Sequence, residues 1–154
     1  MEKRKPEIYV DADACPVKGE TLRVAERHRL IVHMVSNRWI HLPENPLIRR
    51  QVTPGGLDRV DDWIAEHIAE GDVAITADIP LASRCLEKKA RVLGPTGRTL
   101  DAESIGMALA LRDLNAYLRE TGELKGSGVA FAKKDRSRFL SALEEAVQAI
   151  LRQG

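Results

Sequence analysis

Twice in this chain a short apolar run, rich in β-branched residues, ends at an aspartate and passes at once into helix-forming sequence. Ile8-Tyr9-Val10 runs into Asp11, Asp13 and the segment ACPVKGE; Val73 to Ala77 runs into Asp78 and IPLASRCLEKK. Few folds accept that pattern. Buried strands that alternate with helices predict a mostly parallel sheet with helices on both faces. In such a sheet the strand ends lie along one edge, so Asp11 and Asp78 are expected to converge there despite their separation in sequence. Strand side chains alternate with period two, so Asp13 projects to the same side as Asp11 if the backbone stays extended. Like charges placed that close repel unless a cation or a proton intervenes. Mg²⁺ and Mn²⁺ prefer oxygen ligands. A structural role competes at each position, because aspartate is a favoured helix N-cap. Asp13 can cap the helix that starts near Pro16, and Asp78 can cap the one that starts at Ile79.

The remaining elements follow the same alternation. Helices are expected over Pro16–Arg29, Asp58–Glu70, Ile79–Lys89, Asp101–Arg119 and from Lys133 onward. Strands are expected over Leu30–Ser36, Leu47–Thr53, Asp72–Ala77 and Ala90–Leu93. Gly19 weakens the first helix, and its missing side chain leaves room for a close neighbour. Met107, Leu111, Leu114 and Leu118 form a stripe read as core, with Ile105, Ala108 and Leu109 beside it. Gly122–Gly128 reads as a linker, so the segment 122–154 is a linker plus a terminal helix. The length of 154 residues predicts one α/β domain spanning 1–154.

A composition of 44% hydrophobic and 31% charged residues is that of a globular chain. The net charge of +1 projects no global field toward nucleic acid or membrane, so any such contact needs a local patch. Two cysteines without metal-type spacing suit a reducing cytoplasm, and no apolar run reaches membrane-spanning length. The chain is therefore expected in the cytoplasm, without a membrane partner. Cys15, near a helix start, is weighed as a nucleophile and set below a reading as a small buried residue, because no histidine lies nearby in sequence.

On the helix from Asp58, the wheel puts Asp62 opposite the Trp63/Ile64 face and Asp61 at its edge. Asp58 is expected as the N-cap, paired with Asp61 in a capping-box-like arrangement. Asp61 is the better inward candidate, and Asp62 is expected in solvent. Asp72 opens its strand at the opposite sheet edge and is set aside. Asn37 and Arg38, just past a strand, are candidates for substrate contact. Lys133, Lys134, Arg136 and Arg138 are candidates for holding a phosphate backbone. Basic residues at a helix start oppose the helix dipole, although a solvated helix start explains them equally well.

VDADACPVK, GGLDRVDDWI, GDVAITADIPLA and KKDRSRFL, in that order, resemble the YaiI/YqxD family over nearly the whole chain. The family is grouped with PIN-like domains, whose relatives include Mg²⁺- or Mn²⁺-dependent nucleases built on clustered carboxylates. The resemblance implies a PIN-like fold. It makes Asp11 the first-strand ligand, Asp78 the ligand after the later strand, and Asp58 or Asp61 the mid-chain acid. Where PIN nucleases often carry a glutamate, the matched positions here are aspartates.

The expected function is phosphodiester hydrolysis, on RNA or structured nucleic acid, with Mg²⁺ or Mn²⁺ held by Asp11, Asp13, Asp61 and Asp78. One alternative is a phosphatase of the haloacid-dehalogenase type with Asp11 as nucleophile and Asp13 as acid/base. It lacks a convincing cap region and the expected later acidic motif. Another is a non-catalytic module that binds nucleic acid or protein.

Overall fold

A computed structural model describes residues 4–13, 15–107, 110 and 133–153. The strands are β1 (Ile8–Asp11), β2 (Val32–Ser36), β3 (Ile48–Val52), β4 (Val73–Ile75), β5 (Arg91–Leu93) and β6 (Thr99–Leu100). The helices are α1 (Lys18–His28), α2 (Leu57–His67), α3 (Ile79–Glu87), α4, which opens over residues 102–107, and α5 (Lys133–Gln153). Among the described residues the strands form one sheet in the order β3-β2-β1-β4-β5-β6. All pairings are parallel except β5 with β6. The fold is α/β and consistent with a PIN-like domain.

Strand alternation divides the core into two layers. Ile8, Val10, Ala12, Met34 and Ile75 face α1 and α5, meeting Val24, Phe139, Leu143 and Val147. Tyr9, Val35, Ala74 and Val92 face α2 and α3, meeting Val60, Ile64, Leu81 and Cys85. Full burial of a side chain such as Phe139 contributes about 1.5–3 kcal/mol. The order of strands reverses between β1 and β4, and open α/β sheets bind ligands beyond the carboxyl ends of the strands at such a point.

Several boundaries differ from expectation for local reasons. α1 begins at Lys18 after Val17, so Pro16 precedes the helix, and a Cβ on Gly19 would meet open space. The N-cap of α2 is Gly56, at a φ of 116° that favours glycine; Asp58 lies inside the first turn and caps nothing. Met107 is 59% exposed while Ile105 is buried against the α2/α3 layer, since two helical steps turn a side chain about 200°. Leu111, Leu114, Leu118 and the 122–128 linker lie outside the described residues. β6 answers to no strand signal in the sequence. It pairs with β5 across the turn Gly94-Pro95-Thr96-Gly97, which the Gly97 N–H closes onto the Gly94 carbonyl at 3.0 Å.

Asp72 is fully buried at the start of β4, away from the carboxyl edge. It accepts backbone N–H groups from Glu7 and Ala69 and pairs with Arg4 at 2.9 Å, pinning the residues before β1. α5 is anchored to α1 by Glu144, which meets Arg27 at 3.0 Å and His28 at 2.6 Å.

Gly97 sits at φ 89°, and a Cβ there would lie 2.7 Å from the Arg138 carbonyl carbon. The turn thus presses on α5 backbone with no room to yield. Gly97→Ala is expected to destabilise the protein by roughly 2 kcal/mol or more, read as a lowered midpoint in urea unfolding. An unchanged midpoint would show that the turn and α5 are not packed in this way.

Candidate functional site at the carboxyl edge of the sheet

β1 hands Asp11 to the carboxyl edge one residue past Val10, which is in register with Ile75 of β4. The next residue after Ile75 is Thr76, and its hydroxyl donates to Asp11 Oδ2 at 3.0 Å. The same Thr76 oxygen accepts the backbone N–H of Asp78 at 3.0 Å. Asp78 in turn caps α3, its Oδ1 accepting the Leu81 N–H at 2.9 Å. One threonine therefore locks the two strand-end aspartates to each other. Thr76 was not singled out in the sequence; the signal available was a hydroxyl two residues before a capping aspartate, which favours such local bonds.

Asp13 lies beyond the strand and is exposed. Both of its carboxylate oxygens accept the Asn37 N–H, at 3.0 and 2.8 Å, so it ties the end of β2 to that of β1 rather than capping α1. The Asn37 side chain donates to the Gly56 carbonyl before α2. Asn37 is thereby a positioning residue, with both donor groups committed to the scaffold. Arg38 beside it is exposed and lines a shallow pocket with Asp13, Asn37, Ile40 and Gly56.

Asp61 reaches the same region from α2. Its carboxyl is pushed up to about 6 by burial and by the charges of Asp78, Asp11 and Asp58, against a small opposing pull from Arg84. Burial likewise raises Asp11; the Thr76 hydrogen bond works against that, and Asp78 and Asp13 add to it. Asp62 points to solvent and pairs with Arg84 at 2.8 Å, as the helical wheel predicts. Asp58 is exposed and contributes charge to the Asp61 environment.

A cavity of about 220 Å³ opens here, lined by Asp11, Cys15, Thr76, Asp78 and Pro95 among others. Burial raises the Cys15 thiol, with partial opposition from the Val17 backbone and Lys18, so it is not an activated nucleophile. The start of α5 lies near this edge: Arg136 donates to the Pro16 carbonyl at 2.6 Å and pairs with Glu20 at 3.2 Å. That contact makes Arg136 a strut between α5 and α1. Lys133, Lys134 and Arg138 are exposed.

The donors suit a hard divalent cation in chemistry. Among the described residues Asp11 Oδ1 and Asp78 Oδ2 make no hydrogen bond and no fully buried side-chain oxygen lacks a partner, so Asp11 Oδ1 reaches solvent. Among the described residues no three His, Cys, Asp or Glu side chains form a group that could hold a metal ion. The carboxylates share a field rather than a preformed cage. Mg²⁺ is commonly held by one or two carboxylates, with waters and substrate phosphate completing its shell.

A family model described as "Uncharacterized BCR, YaiI/YqxD family" matches residues 9–149. The UPF0178 protein of Rhodospirillum rubrum is 58% identical over 147 residues, covering 95% of this chain and 98% of the relative. The UPF0178 protein of Parvibaculum lavamentivorans is 60% identical over 146 residues, covering 95% and 96%. No solved structure matches the chain. No helix among the described residues is long and apolar enough to cross a membrane.

The raised carboxyl of Asp61 gives a pH-dependent expectation. Below about pH 4 it is protonated in folded and unfolded chains alike, and its ionisation costs the fold nothing. As pH rises through about 6 the folded carboxyl must ionise in an unfavourable site, and that stability is lost. Asp61→Asn is therefore expected to raise the melting temperature relative to wild type at about pH 8, with the gain vanishing near pH 4. A difference independent of pH would contradict this.

Proposed function

The chain belongs to the YaiI/YqxD family, and from its carboxyl-edge site we propose a metal-dependent phosphodiesterase acting on nucleic acid, RNA above all. One observation carries the reading: Asp11 from β1, Asp61 from α2 and Asp78 before α3 share a single electrostatic field at the point where the strand order reverses. Negative charge concentrated in that way favours a cation, and a cation at a cleft favours a phosphate.

Asp11 and Asp78 are the residues that would hold Mg²⁺ or Mn²⁺, through the oxygens their hydrogen bonds leave over, with Asp13 and Asp61 at the flank. When bound, the cation supplies Lewis-acid stabilisation of the phosphate and lowers the pKa of water. Thr76 holds Asp11 in orientation by donating to Oδ2. Asp61, with a proton affinity nearer neutrality than an ordinary carboxylate, is the best placed in pKa to take a proton from attacking water. Exposed Lys133, Lys134 and Arg138 offer phosphate contacts along the strand. Cys15 and Cys85 are both free thiols, which supports a reducing cytoplasmic setting.

Cleavage of single-stranded RNA by the purified protein in Mn²⁺ tests the reading. Asp11→Asn and Asp78→Asn are expected to reduce the rate by about 100-fold or more, the scale typical for losing a group that stabilises the transition state. Both variants preserve the scaffold, since asparagine still accepts from Thr76 and still caps a helix. Asp62→Asn, on the solvent face, is expected to retain the rate. Hydrolysis of phosphomonoesters with RNA left intact would overturn the proposal in favour of a phosphatase, and equal rates in all variants would remove the carboxylates from the chemistry.

A further inference from the structure

The connection between β2 and β3 carries groups that the carboxylate site does not use. Trp39, one of two tryptophans in the chain, is 61% exposed. The Arg50 guanidinium lies over its ring at 4.6 Å, and the His41 ring stands 6.2 Å away at 57°. The backbone on either side is pinned. The Ser36 hydroxyl donates to the Arg38 carbonyl at 2.7 Å, Arg50 Nε donates to the Ile40 carbonyl at 3.0 Å, and Leu42 is buried. The indole is thus held outward on an anchored loop, beside a surface pocket of about 480 Å³ that Trp39, His41, Asn45 and Arg50 help to line.

Charge indicates what covers it. Neither Arg38 nor Arg50 enters an ion pair among the described residues, so both cations remain available to an anion. Position indicates where the ligand comes from. Trp39 follows Asn37, the partner of Asp13, by two residues, at most about 7 Å of backbone. An aromatic face with flanking arginines matches the way single strands are held, with bases stacked on the ring and phosphates on the cations. Bases inside a duplex stack on one another and do not present a free face.

We propose that Trp39, with Arg50 and His41, is a base-stacking site that takes an unpaired base beside the phosphate engaged at the carboxyl edge. This rests on the nucleic-acid reading above and specifies the state of the substrate as single-stranded. The site is tested by binding alone, in the Asp11→Asn background and without divalent cation, so that cleavage plays no part. With Trp63→Phe, indole fluorescence reports Trp39 only, and a single-stranded RNA oligonucleotide is expected to quench it saturably while its duplex does not. By anisotropy of the labelled oligonucleotide with Trp63 intact, Trp39→Ala is expected to weaken binding roughly 5- to 150-fold, and Trp39→Phe to retain most of it. Unchanged affinity in Trp39→Ala overturns the proposal, as does equal quenching by duplex. Self-association that Trp39→Ala abolishes, with oligonucleotide binding unaffected, assigns the indole to a second copy of the chain and also overturns it. Binding and quenching without any cleavage in wild type leave this site standing and sink only the catalytic reading. No oligonucleotide binding at all overturns this site, while the catalytic reading stands or falls by the Mn²⁺ cleavage assay.

Discussion

The parallel register of β1 against β4 governs everything at the carboxyl edge. Because Val10 lies opposite Ile75, the residues just beyond them are Asp11 and Thr76, and a single hydroxyl reaches the carboxylate. Slipping that register by one residue would turn every side chain of the strand to the other face. It would send Asp11 toward the α1/α5 layer and Val10 toward Asp61. The apolar alternation of Ile8 and Val10 against Tyr9 is what forbids the slip, so the core sets the geometry of the site.

The site is under electrostatic tension within this scaffold. Asp11 and Asp61 are both partly withdrawn from water, and each feels the charge of Asp78. Elsewhere the chain resolves such tension locally. Asp72, wholly buried, is met by two backbone N–H groups and Arg4, and Asp62 is met by Arg84. At the carboxyl edge no arginine or lysine pairs with Asp11, Asp61 or Asp78 among the described residues. Carboxylates raised by burial and like charge, and without a cationic partner, are candidates for chemistry.

Much of this was legible in the sequence wherever one physical rule dominated. The convergence of Asp11 and Asp78 followed from strand ends meeting helix starts, and the inward Asp61 and outward Asp62 followed from the helical wheel. What escaped was decided by partners distant in the chain or by backbone alone. β6 spans two residues and exists through its pairing with β5, so no periodicity announces it. Asp58 looked like an N-cap because its side chain can cap, but Gly56 with its positive φ starts the helix earlier. Asp13 sits where it could hold a cation or cap its own helix, and no local signal shows that its carboxylate accepts the Asn37 N–H just past the neighbouring strand. Arg136 reads as part of a basic run until Glu20 of α1 is placed against it.

The proposed cation site at Asp11 and Asp78 is tested most directly by calorimetric titration of the metal-free protein with Mn²⁺ at about pH 8. At that pH Asp61, with its carboxyl near 6, is ionised. Saturable binding that disappears in Asp11→Asn and in Asp78→Asn is the predicted result. Binding that both variants retain unchanged would contradict the claim, because the cation would then be held elsewhere.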